Sequence, residues 1–361
     1  MCVPMCVRRL MCVRRLMCVR RLARMLPGIA CITIALSACG AARPASDSLP
    51  TLARAGNLDP LAGHGLYVAP YAPAAQQIAL LNAQGDTRDA QLIERIAKQP
   101  AGTWFANDNP LLLSDLSALL GGAAAQGKLA LIVAYYIPQR DCGGGYSAGG
   151  AATPSAYLRW IGRLAAGIGA TGHGAIVILE PDAIPGVLAG CIGASAGRTR
   201  LALLRQAVAL LKHDAGVVVY LDAGNAGWIK PVARLVAPLR DAGVAQADGF
   251  ALNVANFRST AASIAYGNEL ARALHGAHFV IDTGRNGNGA DTNPADRPTW
   301  CNPPGRALGQ TPSTNTGQPG VDAYLWVKRP GDSDGTCRPG APPAGHWWPQ
   351  YALQLAAAKR R

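Results

Sequence analysis

Four apolar runs in this chain each lead to an aspartate, always at the same end. Residues 175–179 run into Glu180-Pro181-Asp182, 217–221 into Asp222, 279–281 into Asp282, and 131–136 lead through a short turn to Asp141. Short continuous runs rich in β-branched residues read as strands buried on both faces, and such strands belong to parallel sheets covered by helices. An Asp just past a strand more often caps the next helix. One capping role does not account for four strands. The pattern therefore predicts carboxylates gathered into one cleft at the C-terminal ends of a parallel sheet, where β/α-barrel enzymes keep their reacting groups.

The rest of the chain supplies the alternation such a sheet needs. A short strand at 66–68, helical spacing over 74–82 and 90–98, a strand at 103–105, a helix over 110–125, a strand at 129–136 and a helix over 155–168 precede the run at 175–179. After it come helix 199–213, strand 217–221, helix 228–239, strand 249–254, helix 261–274, strand 278–281, strand 323–327 and a last helix, 347–358. Residues 283–320 are rich in Gly, Pro and Asn and carry almost no periodicity. Seven or eight βα units without a break in composition predict one α/β domain, a closed β/α barrel rather than a doubly wound sheet. No glycine-rich dinucleotide turn follows the first strand.

The first fifty residues read differently. The hexad Met-Cys-Val-Arg-Arg-Leu occurs three times, at 5–10, 11–16 and 17–22, as a duplicated stretch near the true start would, with Met17 a plausible start. A basic segment to Arg24, an apolar run over 25–36 and then Leu36-Ser-Ala-Cys39 form a secretory signal too short to span a membrane. Its end resembles the lipobox of bacterial lipoproteins, in which the cysteine, here Cys39, is lipidated; ordinary cleavage at small residues is the alternative. The expected organisation is 1–38 repeat and signal, 39–56 an Ala/Pro/Ser tether, and 57–361 one catalytic domain. The location is then outside the cytoplasm: an outer-membrane or cell-surface lipoprotein, or a secreted or periplasmic protein. Any membrane attachment is through the N-terminal lipid.

The net charge of +13 invites a nucleic-acid reading, but seven of those charges are arginines of the N-terminal segment, and removing them leaves +6. With no basic helix or aromatic RNA-binding pattern in the body, nucleic acid is set aside. Export leaves Cys142, Cys191, Cys301 and Cys337 in an oxidising compartment, which predicts two disulfides. Three connectivities are open; pairing of neighbours, Cys142 with Cys191 and Cys301 with Cys337, is the expectation. A zinc site lacks CxxC spacing, and the six histidines show no metal spacing. Gly193-Ala-Ser195-Ala-Gly197 matches a serine-hydrolase elbow, yet no strand precedes it, and it reads as loop. The cluster at 284–289 reads as an irregular loop, not a phosphate cradle.

Trp228 and Trp300 fall on the side where the carboxylates emerge, and an indole face suits the C–H face of a sugar ring. Trp160 and Trp326 sit inside periodic apolar segments and read as core. Tyr135-Tyr-Ile-Pro-Gln-Arg-Asp141-Cys142, Leu179-Glu-Pro-Asp182, Tyr220-Leu-Asp222 through Trp228, Asn253-Val-Ala-Asn256, Trp300-Cys301-Asn302, Thr314-Asn-Thr-Gly317 and Trp326-Val-Lys328 through Asp334-Gly335 together resemble, in order, the motifs of glycoside hydrolase family 6, the inverting cellulases. The resemblance covers the chain from about Asn57 to the last helix.

That resemblance implies a single distorted, partly open β/α barrel of about seven strands, with the active site across the strand C-terminal ends, and hydrolysis of β-1,4-glucans with inversion. Motif by motif, it makes Asp182 the general acid and Asp141 the partner that helps keep it protonated. Tyr135 presses on the sugar in the cleavage subsite, and Asp334 is the candidate base. Asp222, Lys328, Trp228, Trp300, Asn253 and Asn256 position substrate. Family members usually carry Asp or Asn at the place of Tyr136, His at that of Asn225 and often Glu at that of Asp332. Only two residues separate Asp334 from Cys337, and the segment after Cys142 is short, so an open cleft and endo cleavage are expected rather than the exo-acting tunnel of a cellobiohydrolase. A surface glycan-binding lipoprotein without turnover and an esterase using Ser195 are the competing classes. No metal or organic cofactor is implied, and a monomer is expected.

Overall fold

The computed structural model describes residues 59–359 apart from Gly144 and Ala215. The signal, the tether, Cys39 and the expected domain boundary at residue 57 lie outside the described residues. The described residues form eight parallel strands: β1 (Gly65–Leu66), β2 (Thr103–Phe105), β3 (Lys128–Ala134), β4 (Ala175–Leu179), β5 (Val217–Asp222), β6 (Gly249–Leu252), β7 (His278–Asp282) and β8 (Val321–Leu325). Their order is β1-β3-β4-β5-β6-β7-β8, with β2 paired to the later residues of β3. Nine α-helices accompany the described strands: α1 (Ala72–Ala83), α2 (Thr87–Ala97), α3 (Leu112–Ala124), α4 (Pro154–Gly169), α5 (Ala183–Leu188), α6 (Ala194–Leu211), α7 (Val236–Asp241), α8 (Thr260–Ala273) and α9 (Pro349–Ala357).

The strands are apolar on both faces because both faces are covered. Ala130, Ile132, Val177, Leu179, Val219 and Leu221 pack with residues of α3, α4 and α6 on the outer face. The alternate residues Leu131, Val133, Ile176, Ile178, Val218 and Tyr220 fill the barrel interior with Val280, Ala323 and Leu325 from β7 and β8. Helices start where their caps dictate: the Thr153 hydroxyl accepts from the Ala156 amide at 3.1 Å ahead of α4, with Pro154 at the first position, and the Ser259 hydroxyl accepts from Ala262 ahead of α8.

The closed barrel that alternation alone suggested is not formed; the curled sheet stays open between β8 and β2. No ladder joins them among the described residues. The Gly102 amide donates to the Trp326 carbonyl at 2.9 Å, and Trp104 Nε1 donates to the Val327 carbonyl at 2.9 Å. A methyl group at Gly102 would sit 2.4 Å from the Val327 carbonyl oxygen, so glycine is what lets the two backbones meet. The seam is sealed from outside by an apolar cluster of α1, α2 and α9 built on Ile93, Ile96, Trp326, Tyr351 and Leu355. Trp160 and Trp326 are buried, as expected.

Two helix expectations are corrected. Residues 228–231 form turns, followed by a 3-10 turn (Val232–Leu235) and the short α7. Pro231 has no amide to donate and holds the residue before it out of the helical region, so no helix runs through 228–239. Helix α6 begins at Ala194, so Ser195 lies in its first turn and not in a loop. No strand leads into that serine, so the hydrolase elbow is absent.

Candidate active site

Where the strands end, the chain is strained. Of the nine non-glycine residues with positive φ among those described, Gln139, Asp141, Cys142, Glu180, Asp182, Asn253, Ala255 and Asn302 all belong to loops beyond the C-terminal ends of strands. Such backbone persists only where surrounding bonds over-determine it, and it marks functional sites. These loops enclose a cleft of about 970 Å³.

Glu180 and Pro181 turn the chain sharply after β4. The buried Glu180 carboxylate accepts from the amides of Tyr136 and Ile137, both at 3.0 Å, tying the end of β4 to that of β3. Asp182 follows with φ 67° and its side chain in the cleft. It occupies the position before α5 but makes no capping bond, so the helix-cap reading of this aspartate does not hold. Burial first, then the neighbouring charge of Asp141, pushes the Asp182 carboxyl up to about 7, against a smaller opposing effect of Lys328.

Asp141 is fixed by the loop that follows it. Its Oδ2 accepts from the Ser147 amide at 2.8 Å and the Ser147 hydroxyl at 3.0 Å, and that hydroxyl lies 3.3 Å from the Tyr135 hydroxyl. Tyr135 is buried on the cleft wall, edge-on to Trp104 at 5.3 Å. The Tyr135 phenol is pushed above its ordinary value by burial first and then by Asp182.

Asp334 stands in the opposite electrostatic setting. Its carboxylate is 2.8 Å from Arg285 Nη1 and 3.3 Å from Lys328 Nζ, and it accepts from the Asn302 amide at 2.9 Å. Asn302 Oδ1 accepts in return from the Asp334 amide at 2.8 Å. Burial alone would raise this carboxyl, but Arg285 and Lys328 outweigh it and hold the group below its ordinary value. The cleft therefore holds one carboxyl kept protonated near neutrality and one kept ionised.

Eight of the ten expected site residues line this cleft: Tyr135, Asp141, Asp182, Trp228, Asn256, Trp300, Lys328 and Asp334. Trp228 and Trp300 expose 36% and 47% of their surface, free to meet a flat ligand. Asp222 and Asn253 do not line it, contrary to expectation. Asp222 is buried and its Oδ2 accepts from the amides of Asp182 at 2.8 Å and Gly224 at 3.1 Å, so it holds the Asp182 backbone from beneath. Asn253 donates to the carbonyls of Arg258 and Asp282 and accepts from the Arg258 amide. Asp282 likewise stays below the cleft, accepting from the amides of Gly284, Ala255 and Lys328. Of the four strand-end aspartates, two reach the cleft and two brace it.

Sequence reasoning missed Arg285, Ser147 and Glu180. Arg285 lies in the glycine-rich stretch read as irregular loop, and its one signal was a lone cation three residues past the end of β7. Cys142 pairs with Cys191 and Cys301 with Cys337, with Cα separations of 5.0 and 6.3 Å. The first bridge adjoins Asp141 and the second joins the Asn302 loop to the Asp334 loop.

The pattern for glycosyl hydrolases family 6 matches residues 61–359. Endoglucanase A of Thermobispora bispora is 40% identical over 295 residues, 80% of this chain and 61% of that protein. Endoglucanase 1 of Streptomyces halstedii is 40% identical over 299 residues, 81% of this chain and 88% of that protein. The endoglucanase Cel6 from Mycobacterium tuberculosis, solved in complex with methyl-cellobiosyl-4-deoxy-4-thio-β-D-cellobioside, superposes with a TM-score of 0.76 at 39% identity, covering 83% of this chain and 99% of that one. With its open parallel barrel, its cleft carboxylates and this family match across nearly all the described residues, the chain belongs to glycosyl hydrolases family 6.

Proposed function

We propose that the domain hydrolyses β-1,4-glucosidic bonds of cellulose or a related β-glucan, within the chain and with inversion at the anomeric carbon. The observation that carries this reading is the pair Asp182 and Asp334, two carboxyls in one cleft with opposed protonation. Inverting hydrolysis needs a protonated acid for the leaving oxygen and a separate carboxylate on the water side. Asp182 donates the proton, and Asp141 favours the protonated form. Asp334, with its proton affinity lowered, acts mainly as a fixed negative charge that steadies the oxocarbenium-like carbon and orients the attacking water. That water becomes strongly acidic as its bond to carbon forms, so a weak base suffices. Tyr135 supports a distorted ring, and Trp228, Trp300, Asn256 and Lys328 position the chain.

Export fits this reading, since two disulfides belong in an oxidising compartment. We include in the proposal a signal over 1–38, a tether over 39–56, a monomeric catalytic domain and lipidation at Cys39.

Proton NMR of cello-oligosaccharide hydrolysis tests the mechanism: α-anomer appears first at the new reducing end. Early β-anomer overturns the inverting assignment, and absence of cleavage favours a glycan-binding protein. Viscosity of carboxymethylcellulose falls quickly with few reducing ends formed; cellobiose as almost the sole early product would instead mean exo action.

A further inference from the structure

Arg258 lines the cleft, yet its guanidinium makes no hydrogen bond or ion pair to the described residues, and its buried Nε has no partner. Its backbone is fixed nonetheless. The amide donates to Asn253 Oδ1 at 2.9 Å, and the carbonyl accepts from Asn253 Nδ2 at 3.1 Å and Asn286 Nδ2 at 3.0 Å. The guanidinium lies against Gly227, where an added methyl would sit 2.1 Å from Cζ and from Nη2. Gly227 is itself held by Asn225 Oδ1 at 3.0 Å and is followed by the exposed Trp228. A cation with unused donors thus stands on a fixed backbone against the residue that precedes Trp228, and both side chains line the same cleft.

We propose that Arg258 is a substrate-positioning residue whose guanidinium donates to the hydroxyls of the glucosyl unit lying on Trp228, at the β5–β6 end of the cleft. This rests on the glucanase reading above. An indole takes the C–H face of a sugar and leaves its equatorial hydroxyls around the rim, where they need donors. The planar fork of arginine presents several N–H groups toward one edge, which a lysine ammonium does not match. Glycine at 227 is required because any side chain there would displace the fork.

The test separates this inference from the glucanase reading. Cellohexaose is titrated into Asp182→Ala protein, followed by tryptophan fluorescence, with Arg258→Ala, Arg258→Lys, Gly227→Ala and the Gly227→Ala/Arg258→Ala pair added in turn. Loss of charge-assisted hydrogen bonds should weaken binding about tenfold or more for Arg258→Ala, less for Arg258→Lys, and Gly227→Ala should imitate Arg258→Ala. The double variant should bind no worse than Arg258→Ala. In the active protein the same changes raise KM with kcat within about twofold, as loss of uniform binding does. Unchanged affinity in Arg258→Ala protein with a native circular dichroism spectrum overturns the proposal, as do multiplicative losses in the double variant. Arg258-dependent binding that appears only with carboxymethylated oligosaccharide and fades with salt also overturns it, in favour of an anion site. Binding that depends on Arg258 while the wild type cleaves nothing overturns the glucanase reading alone.

Discussion

The end of β4 and the end of β8 present the same residue type to the same cleft and give it opposite charge states. At the β4 end, Asp182 is half-buried beside Asp141 and above Asp222, so its nearest company is acidic. At the β8 end, Asp334 is buried and lies in contact with Arg285 and Lys328. Burial pushes both carboxyls upward, and what separates them is the sign of the neighbour. That neighbour comes from a different loop each time: Asp141 from beyond β3, Arg285 from beyond β7. A pair of titratable groups driven apart in this way is the arrangement that acid–base chemistry near neutral pH requires.

The comparison breaks most visibly at Asp182. Asp182→Ala removes the proposed proton donor and should lower kcat on unactivated cello-oligosaccharides by roughly 10³-fold, within the span of general acid catalysis. An aryl cellobioside with a good leaving group needs no proton, so its bond-breaking step should lose far less. Equal losses on the two substrates would assign Asp182 a binding role instead.

At the other end, Arg285→Met leaves Asp334 buried with half its compensation. Breaking a buried ion pair from one side costs about 3–5 kcal/mol, which thermal unfolding would register. The sign of the pH effect also follows. Arg285 lowers the Asp334 carboxyl, so its loss raises that carboxyl and moves the acid limb of kcat/KM to higher pH. An unchanged melting temperature and acid limb would mean that the pair contributes nothing net. The disulfides offer the matching contrast. Replacing Cys142 and Cys191, or Cys301 and Cys337, by serine releases loops of 49 and 36 residues, and each should cost about 4 kcal/mol on loop entropy. Loss of the first should disturb the basic limb through Asp141, and loss of the second the acid limb through Asn302 and Asp334.

How much of this could be read beforehand follows the same division. Strands β4, β5 and β7 were found to within a residue at each end because parallel strands buried on both faces are nearly continuous apolar runs. The helix expected over 228–239 failed at Pro231, where backbone chemistry overrides apolar spacing. Asp141 and Asp182 were legible as strand-end carboxylates and Asp334 through motif order, whereas Arg285 reaches Asp334 across 49 positions of sequence, and no local pattern announces such a pairing. Asp222 and Asp282 did carry a usable signal. Each ends its strand and is followed two residues later by glycine, Asp222-Ala-Gly224 and Asp282-Thr-Gly284, and in each the glycine amide donates to the carboxylate. That local turn spends the side chain on its own backbone and keeps it out of the cleft. Asp182 is followed by Ala-Ile and has no such turn, which leaves its carboxyl available.

The smallest expected effect isolates the like-charge contribution at the β4 end. Asp141→Asn keeps the shape of the side chain that receives the Ser147 amide and hydroxyl, but removes the negative charge that faces Asp182. Because that charge favours the protonated acid, its loss lowers the Asp182 carboxyl from about 7 toward its ordinary range. Burial is the larger cause and remains, so the descent is partial, of the order of one pH unit. As the proposed acid, Asp182 must be protonated to work, so the basic limb of the kcat profile should move to lower pH while activity at pH 5 is largely kept. A basic limb that stays in place would mean that burial alone sets the proton affinity of Asp182, and that Asp141 serves through its bonds to Ser147. A loss of kcat that is uniform across all pH would place Asp141 in the proton path itself.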